Sequence, residues 1–100
     1  MEQGHAAWGL KLLGDIALRH DPPSAVEAET CYRQALAVSD ELGVRPLKAH
    51  CYFGLGHVHA ALGSLDQARR ELSAAVDLYR SMDMTNWWPQ GETALRNLDV

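Results

Sequence analysis

Histidines and cysteines are the side chains of this sequence best suited to chemistry, and three of the five histidines crowd one stretch, His50, His57 and His59. A zinc ion would need such ligands at ~2.0–2.3 Å. Helical spacing works against it: His57 and His59 point about 200° apart, and His50 and His57 share a face roughly 10 Å apart along the axis. These rings are expected to line a surface or pack partly, with no bound metal; His5 and His20 stand elsewhere. Cys51 adjoins His50, but adjacent helical residues point apart. A nucleophilic thiol needs a base and a depressed pKa. Cys51 falls on an apolar stripe instead, where cysteine acts as a small hydrophobe. Cys31 and Cys51 lie in unlike contexts that do not read as a disulfide scaffold. Spacing alone leaves a bridge open, but a reducing, cytoplasmic compartment is expected. Asp15, Asp66, Glu71 and Asp77 scatter over polar faces and are expected to be solvated, whereas acid–base catalysis wants carboxylates converging in a dry pocket. No phosphate-cradling glycine loop, Gly-x-Ser-x-Gly or His-Glu-x-x-His occurs. The expectation is no catalysis and no cofactor.

The elements that must position these residues come from a short chain. One hundred residues make a single domain, 1–100, with a thin core. Alanine and leucine dominate and β-branched residues are sparse, which favours helix. The formal charge is −4 with both signs dispersed; without a basic stripe, a nucleic-acid partner is not expected. No apolar run approaches ~20 residues, so no membrane span is expected, and Met1 to His5 lack the layout of a signal peptide.

The chain repeats itself. Leu13-Gly14 recurs as Leu55-Gly56, 42 residues on, and Ser24, Ala28, Tyr32 and Ala35 recur as Ser64, Ala68, Leu72 and Ala75, 40 residues on. The difference fits an enlarged first turn, Arg19 to Ser24, against the tighter Leu62-Gly63-Ser64. Apolar stripes at helical spacing predict five helices. They run through Leu10, Leu13, Ala17 and Leu18; through Ala25, Ala28, Tyr32, Ala35, Ser39 and Leu42; and through Leu47, Cys51, Leu55, Val58 and Leu62. The last two run through Leu65, Ala68, Leu72, Ala75, Tyr79 and Met82, then Trp88, Gly91, Leu95 and Leu98. Ser24-Ala25-Val26-Glu27 and Ser64-Leu65-Asp66-Gln67 predict capping boxes. Gly43 and Gly63 suit helix ends that want positive φ, Pro46 suits a helix start, and Pro89 is tolerable in the first turn after an Asn86 cap.

These residues resemble the tetratricopeptide-repeat family, whose pattern is W-x2-L-G-x2-Y, then A-x3-F, then P. The first repeat offers Leu10-x2-Leu13-Gly14-x2-Ala17, Ala28-x3-Tyr32-x2-Ala35 and Pro46; the second offers Tyr52-x2-Leu55-Gly56-x2-His59 and Ala68-x3-Leu72-x2-Ala75. Ala17 and His59 stand where the family has an aromatic, and the period of 40 to 42 exceeds the usual 34. In this it looks like the tracts of large bacterial regulators. The resemblance implies an all-α, right-handed α-solenoid of antiparallel helical hairpins. It would comprise repeat 1 at about 4–43, repeat 2 at about 46–83 and a terminal helix at about 87–98.

The resemblance also implies a non-catalytic module that binds a peptide or protein surface in a concave groove, probing partners with Trp8, Lys11, Asp15, Leu18 and Arg19 from the first repeat. His50, Phe53, His57, Ala60 and Ala61 would follow from the second, then Gln90, Thr93 and Asn97. Trp8 could equally cap the first core layer, whereas Phe53 favours the groove. The family's carboxylate clamp is not expected. Lys11 matches it, but Asp15, Gly54, Gln90 and Ala94 occupy its other positions, and a negative Asp15 repels a carboxylate. Of Trp87 and Trp88, one is expected to pack on Tyr79 or Met82 while the other stays partly wet. The alternative role is self-association, since two repeats and a fraction leave apolar edges that a homo-oligomer would bury.

Overall fold

The apolar stripes produce five helices in this computed structural model: α1 (Glu2–Arg19), α2 (Ala25–Leu42), α3 (Arg45–Ala61), α4 (Leu65–Ser81) and α5 (Trp88–Leu98). The structure describes residues 2–20 and 24–98, with side chains from residue 6 onward. The middle of the first turn, Asp21-Pro22-Pro23, and the side chain of His5 lie outside the described residues. Among the described residues no strand occurs, and no helix is long and apolar enough to cross a membrane.

Each helix packs on its successor, and α1 also touches α3. The molecule measures 42 × 33 × 20 Å; its short dimension is two helix diameters, at ~10–12 Å each. The result is a stack of helical hairpins, α1–α2 and α3–α4, closed by α5 over α4. The apolar interior is a chain of small clusters, as nearest-neighbour stacking requires. Ala17, Ala28, Tyr32, Leu55 and Val58 join α1, α2 and α3; Ala7, Ala35, Leu47 and Cys51 continue that seam. Ala49, Ala75 and Tyr79 hold the far end with Trp87 and Trp88.

One ring sets the spacing of the hairpins. Tyr32 of α2 lies against Gly14 of α1 and Gly54 of α3, and a Cβ on either glycine would strike it, at 2.8 Å in the case of Gly14. Its hydroxyl donates to Asp15. In the second hairpin Leu72 fills the corresponding notch, 2.5 Å from where a Cβ on Gly56 would sit.

The turns repeat as well. Gly43 and Gly63 take left-handed φ of 69° and 82°, and Asp83 takes 58° at the end of α4. The capping boxes are not formed: neither Ser24 nor Ser64 makes a side-chain cap bond. The reason is backbone geometry: Ser24 and Ser64 hold ψ of 75° and 72°, short of the extended backbone from which a cap hydroxyl reaches the N3 amide, and the return bond from Glu27 or Gln67 is closed off because Ser24 N already donates to Ala17 O (2.9 Å) and Ser64 N to His59 O (2.8 Å). Asn86 does not cap α5 either; the amides of Trp87 and Trp88 both donate to Met84 O, at 3.0 and 3.2 Å, so the turn runs on to Trp88. Four stripe leucines are also more exposed than expected, Leu13, Leu42, Leu62 and Leu65. Leu13 lies on the side of α1 that no described helix covers, and the other three stand within three residues of a turn.

Candidate functional site

Helical spacing of three and four residues brings one face of α1 and one face of α3 together across a hollow. A cavity of about 370 Å³ opens there, lined by Lys11, Asp15, Leu18, Arg19, His50, Phe53, His57 and Gln90, together with Tyr32, Gly54 and Trp87. The structure thus gathers Lys11, Asp15, Arg19, His50, Phe53 and His57 around one space. Trp8 does not line it; its ring leans on His50 with centroids 5.9 Å apart. Ala60 and Asn97 line a neighbouring, more apolar hollow of about 380 Å³ with Gly56, His57, Leu65 and Leu72. Ala61 and Thr93 line neither.

Tyr32 and Trp87 were missed as lining residues. Tyr32 enters from α2, through the gap left by Gly54, and only the packing of three helices discloses that. Trp87 precedes α5 and reaches back under α3: it stacks on Tyr79 at 6.0 Å and meets His50 edge-on at 4.6 Å. Trp88 instead lies under the Arg80 guanidinium, 5.0 Å away. The pair therefore divides its work as expected, although both rings remain half-buried.

The cavity has an aromatic wall and few free charges. Lys11 and Asp15 neutralise each other at 2.7 Å. Arg19 is exposed, and among the described residues no carboxylate pairs with it. His50 is held uncharged: burial, reinforced by the Lys11 ammonium, pulls its pKa down to about 4. Its Nδ1 lies 2.7 Å from the Tyr79 hydroxyl. His57 donates from Nδ1 to the Phe53 carbonyl at 2.8 Å, and the two rings meet edge to face. Burial pushes the Cys51 thiol up to about 12, which keeps it protonated and unreactive. Cys51 and Cys31 are both free thiols.

The third histidine of α3 faces the opposite way and forms a buried clasp. His59 Nδ1 lies 2.5 Å from Glu71 of α4, and Nε2 lies 2.9 Å from Glu29 of α2. Carboxylates accept only, so both ring nitrogens donate and the ring is an imidazolium. Burial disfavours that charge, but hydrogen bonds to Glu71 and Glu29 outweigh it and raise the pKa above 6.5. The same bond, with that from Arg33, lowers Glu29 below 4.5. Gln67 completes the clasp by donating to Glu71 at 3.2 Å.

Glu71 is therefore not solvated, as its polar surroundings in sequence suggested; it is 5% exposed, and His59 is 6% exposed. The available signal was position. Glu29 follows Ala28 and Glu71 precedes Leu72, so each borders an interface residue, and His59 fills a register position where a ring is expected. Among the described residues no group of three or more metal-ligating side chains could hold an ion.

Comparison with known proteins adds one match. Residues 24–81 fit the family model described as Tetratricopeptide repeat, spanning α2, α3 and α4. No curated protein and no solved structure matches the chain.

Proposed function

The chain belongs to the tetratricopeptide-repeat family, and from that premise we propose that it is a non-catalytic module of a larger regulatory protein that binds a peptide or protein surface in its concave groove. Repeats of this family generally mediate protein–protein interaction. The observation that carries the groove reading is the cavity between α1 and α3, where an aromatic wall stands beside Arg19, a cation with no carboxylate partner among the described residues. Rigid aromatic side chains and arginine dominate binding energy at protein interfaces. Phe53 and Trp87 supply apolar contact, His50 and His57 supply adaptable hydrogen bonding, and Arg19 supplies charge. With Lys11 tied to Asp15, the site lacks the cationic ring of a carboxylate clamp.

The fitting ligand is a segment that places an apolar or aromatic side chain beside a single acidic group. We treat residues 1–100 as one such module, working in the cytoplasm without a nucleic-acid partner; two free thiols and a chain of dispersed charges support that setting. A synthetic peptide array tests the groove, read with the wild type and with a variant combining Phe53→Ala, His57→Ala and Lys11→Ala. Peptides retained by the wild type and lost by the variant are expected. Equal retention by both proteins would remove the groove from the account. Self-association is the second reading, favoured by the exposed apolar face of α1.

A further inference from the structure

We propose that the hollow between α3, α4 and α5 is a seat for a tyrosine side chain of a bound segment, the ring lying on Gly56 and Leu72 and the hydroxyl donating to His57. This rests on the reading of the chain as a module that binds peptide or protein segments. The internal repeat shows what the hollow is. An offset of 42 residues from α1 to α3, and of 40 from α2 to α4, carries Gly14, Asp15, Leu18 and Tyr32 onto Gly56, His57, Ala60 and Leu72. An offset of 40 also carries α3 onto α5, and Gly54 onto Ala94. Packing agrees with that register: Gly91 lies against Val76, and their counterparts Cys51 and Leu36 share one apolar cluster. Gly56, His57, Ala60, Leu72 and Ala94 all line the hollow. It is the Tyr32 seat of the first hairpin, rebuilt one repeat along.

The changes between the two seats account for the space and name its occupant. In the first, the Tyr32 ring fills the gap between Gly14 and Gly54, and its hydroxyl donates to Asp15. In the second, Leu72 reaches Gly56 but has no ring to extend farther, and Ala60 has a methyl group where Leu18 has a branched chain. The Ala94 methyl returns only part of that volume. About 380 Å³ is left, whereas a cavity of about 150 Å³ already admits benzene. The floor, Gly56 and Leu72, is buried and the rim, His57 and Asn97, is exposed, so a ring can enter from solvent. The acceptor is renewed with the seat. His57 stands at the register position of Asp15. Its Nδ1 donates to the Phe53 carbonyl at 2.8 Å, which leaves Nε2 as an acceptor in the uncharged ring, and no described residue bonds to it. The walls are complete, one from each of α3, α4 and α5, so the hollow takes a side chain and not a further helix. His57 also lines the cavity between α1 and α3, so a segment lying there reaches the seat with one side chain.

Amide NMR spectra of the isotope-labelled full chain, titrated with N-acetyl-tyrosinamide, test this. Saturable shifts at Gly56, Ala60, Leu72 and Ala94 are expected, with a Kd on the order of millimolar for so small a probe. N-acetyl-phenylalaninamide should bind about fivefold more weakly, for want of one neutral hydrogen bond. His57→Leu should bring the two probes level, whereas His57→Asp, which restores the acceptor of the first seat, should keep the preference for tyrosine. Ala60→Leu returns the bulk of Leu18 at a half-buried position. It should abolish binding of both probes, with helicity unchanged by circular dichroism. No saturable shift, shifts confined to Lys11, Asp15 and Trp87, equal binding of the phenylalanine probe, a preference that survives His57→Leu or is lost in His57→Asp, or binding indifferent to Ala60→Leu overturns the proposal. Any of these results leaves retention on the peptide array as it is, so the seat and the groove fail separately.

Discussion

His50 and His59 sit on one helix and hold opposite charge states. His59 has a native pKa above 6.5, so the folded chain keeps its proton more firmly than the unfolded chain. Its stabilisation is complete below about pH 6.5 and is lost as pH rises through the raised native value. The Glu29 pKa lies below 4.5, so its stabilisation is present above that value and fades as pH falls through the native one. His50, at about 4, acts in the reverse sense. Between pH 6.5 and 4 the unfolded chain takes up its proton and the folded chain does not, which lowers stability by on the order of 2 kcal/mol. Melting temperature should therefore peak near pH 6.5, as circular dichroism melts across pH 4 to 9 would record. His59→Gln should flatten the alkaline limb and cost about 2–4 kcal/mol, because Glu29 and Glu71 lose the cation between them. An alkaline decline that survives in this variant would count against the clasp. His50→Gln keeps a partner for the Tyr79 hydroxyl and should flatten the acid limb alone.

At the scale of the elements, spacing and turn conformation decide stability. Gly54 lets α3 reach α2 because the Tyr32 ring occupies the place of its Cβ. The ring is pinned on its other side by Gly14 and by Asp15, so it has nowhere to move. Gly54→Ala should cost about 2–3 kcal/mol, the cost of overpacking a tight interface, seen as a lower urea midpoint at unchanged slope. Asp83 is the opposite case. It holds a left-handed φ of 58° where the turns after α2 and α3 carry glycine, and the left-handed region strains a residue with a Cβ. Asp83→Gly should gain about 0.5–1 kcal/mol in the same measurement; a loss would mean that the carboxylate does something in the turn beyond bending it.

For the whole molecule, stability depends on how the open ends of the stack are covered. Trp87 packs against Tyr79, Phe53 and His50, and so couples the end of the stack to the wall of the cavity. Trp87→Ala should lower stability by about 2 kcal/mol, a fall in melting temperature of roughly 10 °C for a domain this small. It should also reduce retention on the peptide array. A variant that melts earlier but binds as before would confine Trp87 to covering the end. The other end is α1, whose apolar face has no such cover among the described residues.

Helix positions, the 40–42-residue echo and the glycines of the turns were legible in the sequence because each depends on residues a few places apart. So was the grouping of Lys11, Asp15, Arg19, His50, Phe53 and His57, because equal spacing on successive first helices puts them on one side of the stack. Tertiary structure alone decided the rest. Whether Ser24 and Ser64 cap through their side chains depended on the backbone angles that the turns impose on them. Which leucines of a stripe are buried depended on whether a neighbouring helix reaches them, as it reaches Leu55 but not Leu13. The pairing of His59 with Glu29 and Glu71 joins residues 30 and 12 apart on three helices. No local pattern encodes such a meeting, because the angle and separation of packed helices bring the three side chains to one point.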